Sequence, residues 1–291
     1  FQGFEDGTFK PTDTLNRAQA AVLVYRIATG DVENKYLDNY TYMQQSKFND
    51  LDGYNWAKGY INYCQNAGIV VGTSATTFNP GAPVTGYQLL VMILRTLGYG
   101  KAGEFTDPKG WELQTASIAE REGILKNVTG GDFGAPAPRQ MVAEILFRAI
   151  LNETVTYSAL TSGGYTKTGE TLAKKNLGLD DIVGVVTANE WADLYGDEPL
   201  AKDKTRLDVD GKNFNLDITS DAALLGTSVH AYVKDGRALT GLEDSGRNTI
   251  QNSEGAAAEV AKLKGGLKLT EGTEYMINFS EAGEVDYSDW R

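Results

Sequence analysis

Arg17-Ala-Gln-Ala-Ala-Val-Leu-Val-Tyr-Arg26, Gly86-Tyr-Gln-Leu-Leu-Val-Met-Ile-Leu-Arg95 and Arg139-Gln-Met-Val-Ala-Glu-Ile-Leu-Phe-Arg148 decide how this chain is read. Each stretch ends in an Arg nine positions after it starts, and apolar residues fill almost everything between. That pattern predicts three helices buried on most sides.

Working outward, further landmarks recur along the chain. Phe48-Asn-Asp50 and Phe105-Thr-Asp107 each open a segment carrying a Trp, and Trp56 and Trp111 lie 55 positions apart. Gly68-Ile69 recurs at Gly123-Ile124, and Phe78 at Phe133, again 55 apart. A unit of two helices and a loop cannot bury its apolar surface alone, so the copies are expected to share one core. Turn chemistry fills the loops at Asp6-Gly7, Asn79-Pro80-Gly81 and Gly130-Gly131-Asp132. Thr14, Thr85 and Pro138 sit where helices are expected to start. Asp50 and Asp107 read as helix caps, and Arg26, Arg95 and Arg148 as structural groups at helix ends.

Phe4-Glu-Asp-Gly-Thr-Phe-Lys-Pro11 followed by Leu15-Asn-Arg-Ala-Gln19 resembles the signature of the bacterial surface-layer homology (SLH) family. That signature is a Gly-aromatic-x-Asp-Gly-Thr-Phe-x-Pro loop leading into an Ile-Thr-Arg-Ala-Glu-like helix start. Phe48-Asn-Asp-Leu51, Asn55-Trp-Ala57 and Gly68-Ile69 resemble the first-helix half of the same module. The resemblance spans residues 3–152. It implies a triplet of repeats folded as an all-α, pseudo-threefold spindle that binds secondary cell-wall polysaccharide, often pyruvylated, without covalent chemistry. The copies would be 1–47, 48–104 and 105–152, the first lacking its first helix, which is expected upstream of Phe1. The resemblance also implies an extracellular, cell-wall or S-layer location in a Gram-positive bacterium.

Carried over residue by residue, the resemblance nominates Asp6, Gly7, Arg17, Trp56, Trp111 and Arg139 for carbohydrate binding. An exposed Arg at a helix N-terminus offers a forked donor to a ketal carboxylate, and a Trp face packs against a sugar. Copy two departs from the pattern, with Gly86 at the Arg position, so its own loop is expected to lack a carboxylate clamp. Copy three keeps Arg139 in a loop two residues shorter. The groove using Arg17 is therefore the first expectation and the one around Arg139 the second.

Beyond Asn152 the texture changes. Thr154–Gly169 is rich in Thr, Ser, Gly and Tyr, so residues 153–180 read as a linker or an irregular excursion, with a short helix over Glu170–Leu177. Residues 181–291 read as a small, mainly β barrel or sandwich, OB-like or SH3-like. Strands are expected at Ile182–Thr187, Thr205–Val209, Phe214–Ile218, Ser228–Val233 and Tyr275–Phe279. Hairpins are expected at Asp210-Gly211 and Asp235-Gly236, and a short helix at Gly255–Lys262. The whole is thus α+β in two parts.

A net charge of -12 opposes nucleic acid and anionic lipid as partners, and no apolar run reaches membrane-spanning length. The opening Phe1-Gln2-Gly3 matches the tail of a protease-cleavage linker and equally suits native sequence. Cys64, alone in the sequence, reads as a buried structural thiol, and His230, the single histidine, has no matching nucleophile or ligand set. The acidic run from Asp180 to Glu198 reads as surface turns, and Asp208-x-Asp210-Gly211 as a hairpin. No cofactor, metal or enzyme activity is expected. The partners expected are the wall polymer and, in a surface lattice, further copies of the protein. An exoenzyme's anchor with its catalytic domain elsewhere, or an adhesin, are the alternatives.

Overall fold

The computed structural model describes residues 3–34, 46–129, 131–161, 164–195, 197–235, 237–238, 241–246, 248–250 and 274–276. It divides into two compact units, Phe1–Gly178 and Leu179–Arg291.

The first unit carries helices α1 (Arg17–Thr29), α2 (Asn55–Asn66), α3 (Gly86–Leu97), α4 (Trp111–Arg121) and α5 (Arg139–Ile150). α1, α3 and α5 are the three apolar stretches. α3 is the most deeply buried, with Leu89, Leu90, Val91, Met92, Ile93, Leu94 and Leu97 all in the interior. Its apolar residues run around the whole helix, so only a central position satisfies them. Tyr25 of α1 meets Tyr60 and Tyr63 of α2 edge-on at 5.1 and 5.0 Å. Cys64, on α2, is fully buried against the Ala21 carbonyl, and burial pushes its thiol pKa up.

Helix starts differ from expectation at α1, α2 and α4. Asn16, not Thr14, caps α1: its side chain accepts the Gln19 N–H while the Gln19 side chain accepts the Asn16 N–H. Thr85 and Gln88 make the same reciprocal box on α3, and Pro138 precedes α5 without a side-chain cap. Asp50 and Asp107 are not helix caps. Tyr54 and Gly110 occupy the cap positions of α2 and α4.

Residues 153–180, read as a linker or an irregular excursion, carry regular structure. Strands β1 (Glu153–Tyr157) and β2 (Tyr165–Thr171) form an antiparallel hairpin, followed by a π-helical turn at Ala173–Leu177 that ends at Gly178. Val155 and Leu172 join the helical core. The sequence concealed this because most of the strand side chains are exposed Thr, Lys and Tyr. Threonine suits a pleated surface without needing burial, so no apolar alternation marks the strands.

The second unit holds β3 (Asp180–Ala188), β4 (Thr205–Val209), β5 (Lys212–Leu216), β6 (Ser228–Lys234), β7 (Arg237–Ala238) and β8 (Glu243–Asp244). They form a curled antiparallel sheet, a half-barrel in the order β5-β4-β3-β6-β7, with β8 also on β6. Val186, Leu207, Leu216, Val229, Ala231 and Val233 build its core. The β4–β5 hairpin turns through Asp210 and Gly211, both at positive φ (52° and 77°), a two-residue turn that matches strand twist. Pairing of Lys234 with Arg237 brackets positions 235–236. β9 (Asn248–Ile250) and β10 (Glu274–Met276) pair in parallel. The helix expected at Gly255–Lys262 and the strand beyond residue 276 lie outside the described residues.

Candidate functional site

The loop before α1 is built by Asp6. Its Oδ1 accepts the Thr8 N–H (3.0 Å) and hydroxyl (2.6 Å), and Gly7 takes the turn at φ 76°. The Thr8 hydroxyl bond is the main reason that the Asp6 pKa lies below the usual carboxylate value. Lys10 reaches back, 3.5 Å from Asp6 Oδ2 and 4.0 Å above the Phe4 ring. Asp6 and Gly7 therefore shape the loop.

The three such loops are interlocked head to tail. The Ala18 N–H donates to the Pro80 carbonyl, Tyr87 to Phe133 and Gln140 to Pro11, at 3.0 Å in each case. Deeper in, Val84 donates to Leu15 (3.0 Å), Ala137 to Val84 (2.8 Å) and Leu15 to Ala137 (3.4 Å), a closed ring of three main-chain bonds. At α1, Arg17 N–H donates to Ala82, Ala18 to Pro80 and Gln19 to the Asn16 side chain. The first-turn N–H groups, ordinarily left without partners, are thus consumed inside the fold. The anion seat expected at that helix start is already filled by protein.

The side chains follow the same exchange. Arg17 Nε donates to the Phe78 carbonyl (2.8 Å), Nη2 to Val71 (3.0 Å) and Nη1 to Gln88 Oε1 (3.3 Å). Its guanidinium lies 4.6 Å over the Phe78 ring. Burial lowers the Arg17 pKa and the nearby Asp50 carboxylate opposes that shift. Asp50 in turn accepts the N–H groups of Phe78 (2.9 Å) and Asn79 (2.7 Å). Arg17, expected at the surface, is only 6% exposed. All three of its nitrogens have protein partners, so it acts as a latch between α1 and the loop before α3.

Arg139, at the start of α5, repeats this geometry with more solvent around it. Its Nε donates to the Phe9 carbonyl (2.8 Å), and its guanidinium lies 4.9 Å from both the Phe4 and Phe9 rings. Phe4 and Phe9 are 39% and 37% exposed, so solvent reaches the loop on which Arg139 rests. The structure thus places Asp6 and Gly7 in the loop packed by Arg139, not with Arg17. Nor does the loop of copy two lack an arginine, because Arg17 supplies one. At the third loop the packed helix starts with Gly86 in place of an arginine, and Phe133 fills the space beside it. A Cβ at Gly86 would stand 2.8 Å from Phe133 Cδ1 and 3.0 Å from its Cα.

Trp56 is 53% exposed and stands 6.3 Å from Tyr54, whose hydroxyl closes on Gly81 in the second loop. Trp111 is half-buried, edge-on to Tyr87 at 6.3 Å beside the third loop. Each indole therefore flanks a different loop. Phe4, Phe9, Asp50 and Gln88 were missed as site residues. The recurring Phe ahead of each helix was the visible signal, but spacing alone does not say which copy's arginine it meets.

Among the described residues no group of His, Cys, Asp or Glu has the arrangement to hold a metal ion, and no helix is long and apolar enough to cross a membrane. In the second unit Asp193 pairs with Arg206 (2.8 Å), Asp181 with His230 (2.9 Å), and Asp208 Oδ1 accepts the Gly211 N–H of the hairpin.

A unit of recurring helices and interlocked Gly- and Phe-bearing loops, with an arginine set on a phenyl ring at two of three junctions, defines a repeat-built module. Residues 1–21 and 47–89 match the S-layer homology domain. An endoglucanase of Bacillus sp. (strain KSM-635) is 34% identical over 108 residues, which is 35% of this chain and 11% of that enzyme. The surface-layer 125 kDa protein of Lysinibacillus sphaericus is 29% identical over 170 residues, 53% of this chain and 13% of that protein. A cellulosome-anchoring protein of Acetivibrio thermocellus is 29% identical over 116 residues, 37% of this chain and 24% of that protein. The aligned part thus spans a quarter or less of the length of these relatives. The chain thus carries S-layer homology sequence over residues 1–21 and 47–89, in common with proteins of the bacterial cell surface.

Proposed function

We propose that the first unit anchors a surface protein to the bacterial cell wall by binding secondary cell-wall polysaccharide at the junctions between SLH copies. On this reading the copies are three, 1–47, 48–104 and 105–152, related by a pseudo-threefold axis through the ring of Leu15, Val84 and Ala137. The ligand group is a carboxylate, as on a pyruvylated sugar. The observation that carries the reading is Arg139, held by the Phe9 carbonyl over two part-exposed phenyl rings. A planar guanidinium fork fits a carboxylate two-pronged, and the rings beside it suit the apolar face of a sugar. Asp6 and Gly7 hold the loop that forms the floor, and Trp56 and Trp111 flank the other two junctions. Arg17 keeps the neighbouring junction assembled from within. The unit anchors and does not catalyse.

Sacculi that retain their secondary polymer should sediment this protein, and sacculi stripped of it by acid should not. Calorimetry with a pyruvylated fragment and its depyruvylated counterpart separates the carboxylate from the sugar. Equal affinity for the two would remove the carboxylate from the reading, and sedimentation with stripped sacculi would remove the polymer.

A second reading has support in the relatives' names, which include an endoglucanase and an amylopullulanase beside surface-layer proteins. It makes the same unit the anchor of an exoenzyme, with catalysis in another part of the full-length protein.

A further inference from the structure

The segment after the last SLH copy grips the C-terminal ends of four helices. At α1, the Asn176 amide donates to the carbonyls of Ile27 (3.0 Å) and Ala28 (2.8 Å), two of the last-turn acceptors that a helix leaves open. The Asn176 main chain also lies so close to Gly30 that a Cβ there would overlap its carbonyl oxygen. At α3, the Val155 carbonyl closes on Gly98 in the same way, and the Tyr165 ring lies 4.9 Å from Tyr99. The Tyr165 hydroxyl accepts the N–H groups of Lys101 (2.9 Å) and Ala102 (3.2 Å). At α4, Lys167 Nζ stands 3.3 Å from the Glu122 carboxylate, which is 7% exposed and also takes Arg121 Nε at 3.0 Å. At α5, the Leu172 N–H donates to the Asn152 carbonyl just beyond the helix.

We infer that residues 153–178 are a clasp belonging to the anchor, and that Asn176 is a positioning residue for the junction at the far end of α1. The inference rests on the wall-anchoring reading only for its functional consequence. α1 has thirteen residues, so its two ends stand about 20 Å apart at about 1.5 Å per residue. One end carries Arg17, whose partners sit on α3 and the loop before it. The other is tied through Asn176 to the hairpin, which also holds α3 at Gly98 and Tyr99. The clasp therefore fixes α1 against α3 at one end, and Arg17 meets Phe78 and Gln88 in register at the other. The working boundary of the anchor is Gly178, not Asn152.

The test is hydrogen exchange on the full chain with Asn176→Asp, which keeps the shape but sets a carboxylate against two carbonyls. Exchange at the Gly30 amide should quicken at least tenfold, and so should that at Arg17 and Ala18, on the remote end of the helix. Quickening confined to the last turn of α1 overturns the positioning role. If Asn176→Asp does not fold, Lys167→Met loosens the same clasp at Glu122 and the same remote amides decide. Sedimentation with polymer-bearing sacculi, run cold where every variant is folded, forms the second arm. The variant should bind at least tenfold more weakly, and unchanged affinity with faster remote exchange would overturn the functional consequence. Wild-type protein that fails to sediment would refute the anchoring proposal, while the exchange arm still decides the clasp.

Discussion

Replacing Arg17 with alanine tests whether that guanidinium is a latch or a ligand. The change removes three hydrogen bonds, two of them to main-chain carbonyls, and a cation seated 4.6 Å over Phe78. It also strips Asp50 of the positive charge beside it. Removing one partner of a buried charged group costs about 3–5 kcal/mol. The lower end applies because Asp50 keeps the Phe78 and Asn79 N–H bonds. A loss of about 3 kcal/mol is therefore expected for the first unit, lowering its melting temperature by roughly 6–12 °C at that domain size. Calorimetric melting, with a urea titration to show that the slope is unchanged, gives the number. Arg17→Lys should recover less than half, since it keeps charge without the fork. A melting point within about 2 °C of wild type, together with lost sacculus binding, would refute the latch and return Arg17 to the surface role that its motif position suggests.

Arg139→Ala should do the reverse, costing about 1 kcal/mol of stability while abolishing most sedimentation with polymer-bearing sacculi; a large drop in melting temperature with intact binding would contradict it. Gly86→Ala should destabilise by about 1–3 kcal/mol because its Cβ meets Phe133 main chain and ring, and a neutral result by chemical denaturation would show that the third loop yields. The Glu122 pKa is lowered although burial opposes it, because Arg121, Tyr99 and Lys167 all bond its carboxylate. A depressed folded-state pKa contributes stability above the ordinary value of 4.5 and loses it as pH falls through the folded value. Glu122→Gln should therefore flatten the acid side of the melting-temperature profile, and parallel profiles for the two proteins would count against that network.

What could be read in the sequence was set by how strongly each segment depends on burial. α3 announces itself because seven of its apolar side chains are interior, and β4 because Thr205 and Leu207 alternate inward. The β1–β2 hairpin was opaque because Val155 is one of its few core residues and the exposed remainder carries no hydrophobic pattern. At the site, the arginines, tryptophans and the Asp6-Gly7 turn were visible as residue types in a recurring order. Their grouping was not, since a repeat period is silent on whether Arg17 folds onto its own loop or the next. Its burial was equally hidden, because the carbonyls of Phe78 and Val71 that receive it are main-chain atoms that no side-chain pattern reports.

The bond from Arg139 to Phe9 joins residues 130 positions apart. A chain emerging at about 5–20 residues per second presents Phe4 and Phe9 roughly 6–26 s before the arginine that covers them arrives. The Leu15–Ala137 bond of the ring waits just as long, and long-range closure of this kind slows folding. Phe4 and Phe9 are therefore among the last residues to reach their native contacts. During that interval the Phe4 and Phe9 rings and the Pro11 carbonyl lack the partners that Arg139 and Gln140 bring.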